Sequence, residues 1–281
     1  MSNSVFVPGH ITGFFTIENH EIKLKNGSCG VGFLLSEGVK TTISQSDKLI
    51  IDVNQGDTTV IDEVLSILEI DTNFKITQDI QLPIGAGFGT SAASALSLTL
   101  SLNEFLDLGY SEELCGQIAH MAEVNLGAGL GDVIAQTGNG LVLRTKPGAP
   151  GIGEIKSFSH DVFIGWKTFG EIETSTIIQD PHHKEVISTS GKKYLELFEN
   201  EPTLENFLTF SLKFSQDTKL MSDEVKDLIE YFNSSSDILG SSMAMLGNTV
   251  FVFAYNEDAL ENLDVENLHI DKLNNIGIIY D

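Results

Sequence analysis

The sequence predicts an α+β protein in two lobes, on three observations. Short β-type runs fill the first third, helical patterns follow, and the strand-then-helix order repeats toward the C-terminus. The 281 residues suffice for two modest domains, and the patterns divide them into 1–160 and 161–281.

In chain order, VFV (5–7), EIKL (21–24), GVGFLL (30–35), TTIS (41–44) and KLIIDV (48–53) read as strands separated by Gly, Asn, Ser and charged breaks. Residues 58–70 have helical spacing, with Val60, Val64, Ile67 and Leu68 on one face. FKITQDIQL (74–82) is a strand ending at Pro83, and helices are expected over 91–106 and 112–124. Ala92, Ala93 and Ala95 let the first of these pack closely. NGLVLRT, GEIKSF and DVFIGWKTF (from 139 to 169) return to strands, followed by helices over 183–198, 203–215 and 221–232. Strand TVFVFAY (249–255), a short helix near 257–264 and strand IGIIY close the chain.

Forty acids against sixteen Lys and Arg give a net charge of −24, and Arg144 is the sole arginine. Nucleic-acid binding draws its affinity from cations on phosphates, so this chain is a poor candidate for it. An anionic membrane surface would repel it too, so neither partner is expected. Residues 80–103 are uncharged and long enough to span a bilayer, but Pro83, three glycines and a row of Ser/Thr make them a loop feeding a helix. Cys29 and Cys115 lie far apart with no ligand spacing, which favours a reducing compartment. With no basic, then apolar, N-terminal pattern, a cytoplasmic setting is expected. Any anionic small molecule must be held by local devices.

LPIGAGFGTSAASAL (82–96) offers one. Glycines at 85, 87 and 89 free the backbone, and the chain then enters a helix with Thr90 and Ser91 in its first turn. Amides at such a helix start bind anions without cationic side chains. The segment has no lysine, so it is not a P-loop, and it lacks the glycine spacing of a dinucleotide fingerprint.

PIGAGFGTSAA resembles the phosphate-binding motif of the GHMP kinase superfamily, whose loop wraps the ATP phosphates. FVPGHITGFF (6–15) and SSMAMLGNTVFVF (241–253) are similar, in order and spacing, to one archaeal branch that phosphorylates a small hydroxy acid for coenzyme A synthesis. The resemblance covers Phe6 to about Phe253. It implies a lobe like ribosomal protein S5 domain 2 followed by a ferredoxin-like lobe, with ATP and Mg²⁺, a small-molecule substrate and a homodimer.

By that resemblance Pro83, Gly85, Ala86, Gly87, Phe88, Gly89, Thr90 and Ser91 hold the phosphates. Ser91 and Glu123 ligate Mg²⁺, with Thr90 an alternative hydroxyl, and Asp132 is the general base. Ser28, His120, Arg144 and Thr174 bind the substrate. Arginine has a physical claim of its own, because its planar fork suits a carboxylate. The lysine that some superfamily members carry in the first motif is absent, and His10 stands in PGHITG. Ser241 and Ser242 are expected near substrate or phosphate, and Met243, Met245 and Leu246 in the core. Two other readings stay open: a superfamily kinase acting on a different hydroxy compound, and a nucleotide-binding regulator without catalysis.

Overall fold

The computed structural model describes residues 2–129, 131–170 and 181–281. Thr174 lies outside the described residues. Two sheets organise the chain. The first takes β1 (Ser2–Phe15), β2 (Gly30–Gln45), β3 (Ile50–Val53), β4 (Phe74–Ile80), β5 (Leu141–Lys146), β6 (Glu154–Phe158) and β11 (Ile279–Tyr280). Four antiparallel strands form the second: β7 (Phe163–Thr168), β8 (Gly240–Met243), β9 (Thr249–Ala254) and β10 (His269–Lys272), in the order β10-β7-β9-β8. Numbered along the chain, these four lie fourth, first, third, second, the ferredoxin-like arrangement. After the second sheet the chain returns to the first, where β11 pairs β1.

Helices α1 (Thr59–Leu68), α2 (Thr90–Leu106) and α3 (Glu112–Leu126) cover one side of the first sheet. Helix α2 is buried almost all round. Its row of hydroxyls finds partners: Ser94 Oγ donates to Gln78 Oε1 at 2.7 Å, and Ser97 and Thr41 share a bond of the same length. Short α4 (Asp132–Gln136) precedes β5. Helices α5 (Pro181–Asn200), α6 (Leu204–Thr218) and α7 (Asp223–Asn233) follow β7, and α8 (Glu257–Glu261) precedes β10. An aromatic core joins the sheets, with Phe33 of β2 at 5.1 Å from Phe251 and 4.9 Å from Phe253 of β9, ring centre to ring centre.

Several expectations are corrected. EIKL is no strand but leads into a 3-10 turn at Lys23–Lys25. GVGFLL and TTIS are one sixteen-residue strand, because β1 pairs with it along its length while β5 and β4 share its other edge. β8, β10 and α4 were not foreseen, being too short for a periodic pattern. The β1–β2 register shifts between Pro8 and His10 and again between Thr12 and Phe14. Such bulges bend a strand and re-aim side chains, and the stretch they bracket is the middle of the first motif.

Candidate active site

The three motifs meet. The amide of His10 donates to the carbonyl of Phe88 at 2.9 Å, and that of Met245 to Thr12 at the same distance. Thr249 Oγ1 donates to the Ala86 carbonyl at 2.8 Å. Gly247 lies so close that a Cβ there would fall 2.0 Å from that oxygen. The third motif is therefore a buttress for the first motif and the glycine loop.

Around them lies a cavity of about 390 Å³, with Gly85, Gly87, Phe88, Gly89, Thr90 and Ser91 on one wall and Ser28, Glu123, Asp132 and Arg144 among its other lining residues. Pro83 and Ala86 do not line it, and Ala86 is buried behind the loop. Gly85, Gly87 and Gly89 all take positive φ, which other residues adopt only with strain, and Gly89 caps α2 so that its first amides face the loop.

Glu123, on α3, is 2 % exposed. Burial pushes its carboxyl up to about 7, with the Asp132 charge adding to the rise and hydrogen bonds from Ser91 and the Gly129 amide opposing it. Ser91 Oγ donates to Glu123 Oε1, linking the start of α2 to the end of α3. Asp132 opens α4. Burial works to raise its pKa, but the hydrogen bond from His10 and the charge of Arg144 hold it below the ordinary aspartate range. Two acids in one cavity are thus driven apart, one toward its neutral form and one kept ionised.

Arg144 is 1 % exposed. From β5 its guanidinium crosses β2 to reach β1, where Nη1 donates to His10 Nε2 at 3.3 Å and both terminal nitrogens lie 3.4 Å from Thr12 Oγ1. The crossing is possible because β2 carries glycine at alternate positions. A Cβ on Gly30 would fall 2.6 Å from Arg144 Nη2, and one on Gly32 2.3 Å from His10 Nε2. Burial lowers the Arg144 pKa and the charge of Asp132 opposes this. Among the described residues, its buried Nε has no hydrogen-bond partner.

Among the other expected residues, Ser28 shares the Arg144 wall. His120 does not line the cavity; it is buried on α3 with Nε2 3.3 Å from the Lys23 carbonyl. Ser241 and Ser242 are not at the cavity but inside the second lobe, the former against Asn233 Oδ1 at 3.0 Å and the latter near Ser215. Met243 and Met245 are buried in the core as expected, with Leu246 half-buried against it, and the β8–β9 turn also brings Met245 and Leu246 to the cavity lining. His10 was noticed in the sequence only as a missing lysine. Alternate glycines in an otherwise apolar strand are the feature that could have revealed the crowding beside it.

A glycine loop at a helix start, two acids with opposed pKa shifts and a buried cation on this two-lobed fold fit a small-molecule kinase of the GHMP type. Residues 58–140 match the GHMP kinases N terminal domain. The chain is 35% identical over 267 residues to the pantoate kinase of Methanocaldococcus jannaschii, covering 93% of this chain and 96% of that protein. It is 32% identical over 270 residues to the pantoate kinase of Thermococcus kodakarensis, covering 90% of this chain and 88% of that one. A solved structure described as a phosphotransferase related to the CoA biosynthesis pathway superposes with a TM-score of 0.87 at 28% identity, covering 100% of this chain and 99% of that one. The chain belongs to the pantoate kinase family of the GHMP kinases and is an ATP-dependent kinase. No helix among the described residues is long and apolar enough to cross a membrane.

Proposed function

We propose that this kinase transfers the γ-phosphoryl group of ATP to the primary hydroxyl of pantoate, giving 4-phosphopantoate for coenzyme A synthesis. The observation that carries the reading is the Arg144 guanidinium, buried in the cavity wall with Nε unpartnered among the described residues and in the same cavity as Asp132. A neutral sugar or alcohol gives no reason to bury the sole arginine of an acidic chain; a substrate carboxylate does.

The roles follow from the chemistry. Amides of residues 85–91 at the head of α2 hold the phosphates, with Pro83 and Ala86 supporting the turn. Arg144 pairs with the pantoate carboxylate, beside Ser28, and the family resemblance adds Thr174 to the substrate set. Asp132, ionised at neutral pH, orients the primary hydroxyl and accepts its proton as the oxygen bonds to phosphorus and ADP leaves. Phosphoryl transfer asks chiefly for such positioning and charge balance. Among the described residues no cluster of three His, Cys, Asp or Glu could hold a metal alone. Mg²⁺, however, is commonly held by one or two protein oxygens plus phosphates. Buried Glu123 with the Ser91 hydroxyl upon it fits that donor set. Bound there, Mg²⁺ would neutralise charge on the phosphates. The same reading takes 1–160 as the ATP-binding lobe and 161–281 as the second lobe, apart from β11, which rejoins the first sheet, in a cytoplasmic homodimer.

Purified protein assayed with ATP and Mg²⁺ against pantoate, homoserine, mevalonate and shikimate tests the reading. Preferred turnover of pantoate is expected, and no turnover of it would defeat the assignment.

A further inference from the structure

We propose that His10 is a positioning residue whose single ring fixes the spacing between Asp132 and Arg144, and thereby selects which hydroxyl of a hydroxy acid is phosphorylated. The inference rests on the reading of Asp132 as base and Arg144 as carboxylate anchor.

The ring is fully buried, and each nitrogen has a different neighbour: Nδ1 lies 2.7 Å from Asp132 Oδ1 and Nε2 3.3 Å from Arg144 Nη1. A guanidinium nitrogen can only donate, so Nε2 must accept. Nδ1 then carries the proton and donates to the carboxylate. The two neighbours therefore specify one neutral tautomer and one ring orientation, and the ring is a strut between them. Burial, which disfavours the imidazolium, acts the same way, with Asp132 opposing it.

The surroundings leave the strut no slack. His10, Ile11 and Thr12 of β1 pair with Leu34, Phe33 and Gly32 of β2 between the two register shifts, the His10 amide is tied to Phe88, and the ring lies over Gly32, where any Cβ would collide with Nε2. One carboxylate oxygen of Asp132 is engaged by His10, and part of the Arg144 fork by His10 and Thr12. What remains for the substrate is the other Asp132 oxygen and the part of Arg144 that lines the cavity, at a separation the protein sets in advance. A hydroxy acid fits only when its carboxylate and reacting hydroxyl are that far apart. Preorganised spacing of this kind discriminates sharply, since misplacement by about 1 Å can cost roughly a hundredfold in rate.

Two conservative variants separate the halves of the strut. In His10→Asn the amide can replace Nδ1 toward Asp132 but falls short of Arg144; in His10→Gln it can replace Nε2 toward Arg144 but not Nδ1. Steady-state kinetics with pantoate should give an Asn variant with kcat held within about threefold and the pantoate KM raised about tenfold or more. The Gln variant should show the converse, with kcat down about a hundredfold and KM nearly held. Both should lose about tenfold in preference for pantoate over 3-hydroxy-2,2-dimethylpropanoate, whose hydroxyl is one carbon nearer its carboxylate. Equal changes in kcat and KM for the two variants, or unaltered preference, would overturn the proposal. Should either variant fail to fold, ¹⁵N-histidine spectra of the wild-type protein decide: a neutral Nδ1–H ring at pH 7 supports the strut, and an Nε2–H or doubly protonated ring overturns it. Arg144→Gln, run alongside, keeps the readings distinct. If it leaves the pantoate KM unchanged, the substrate reading fails; if it raises KM while the two His10 variants behave alike, only the strut fails.

Discussion

In the proposed function the two ends of the cavity hold anions, in a chain of net charge −24, by opposite means. At the phosphate end the donors are backbone amides of a glycine loop and a helix start, with no cationic side chain among the described lining residues of that loop. At the substrate end they are side chains: the buried guanidinium of Arg144, braced by His10 and Thr12. Backbone donors need only a loop of fixed shape, so that end depends on what buttresses it. Side-chain donors must be desolvated and aimed, so the other end depends on the absence of side chains nearby, at Gly30 and Gly32. Substitutions should respond accordingly, changing shape and ATP use at one end and chemistry and acid recognition at the other.

The sharpest break of the substrate end is Asp132→Ala. Loss of a general base costs about 10²–10⁴ in rate, and because ATP is held elsewhere, its KM should stay within a few fold. Retention of near-wild-type kcat would remove Asp132 from the chemistry. Next comes Arg144→Gln. A hydrogen bond to a charged group contributes about 1.5–3 kcal/mol, so the pantoate KM should rise roughly ten- to a hundredfold with the ATP KM unmoved.

The pH response distinguishes the two acids. Glu123 has its carboxyl raised by burial from 4.5 to about 7. The folded state therefore binds its proton more tightly than the unfolded state. Without metal, its contribution to stability is fully present below about pH 4.5 and is lost as pH rises through about 7, a difference on the order of 3 kcal/mol. Asp132, with its pKa lowered, contributes with the opposite sign, losing stability only as pH falls through the acid range. Calorimetry in Mg²⁺-free buffer at pH 5 and pH 8 should show Glu123→Gln closing much of the gap in Tm between the two. An unchanged gap would contradict a buried, reluctant carboxylate.

How much of this was legible beforehand follows the same division. The glycine loop declares itself in one stretch, since three glycines before a Ser/Thr helix start are a local pattern. The long helices are legible for the same reason. The substrate end is assembled across 122 residues between His10 and Asp132 and 134 between His10 and Arg144. No periodicity encodes such contacts, and motif resemblance supplied Asp132 and Arg144 but not the ring between them. SSMAMLGNTVFVF was misread because its serines carry the reactive-looking groups. The turn instead directs Met245 and Leu246 to the cavity, while β8 and the helices behind it bury Ser241 and Ser242.

The smallest expected effect tests the buttress. Thr249 Oγ1 is buried and donates to the Ala86 carbonyl inside the phosphate loop. Thr249→Val keeps nearly the same shape and removes only the hydroxyl, leaving that carbonyl without its donor, at a cost of about 1–3 kcal/mol. Because Thr249 does not line the cavity, no contact with either substrate is lost directly. Any kinetic change must pass through the shape of the loop. The ATP KM should therefore rise several fold, with a lower Tm and the pantoate KM unchanged. A fall in Tm with both KM values unmoved would make the third motif a fold element alone. A matched rise in both would mean that the two ends share one scaffold and do not fail separately.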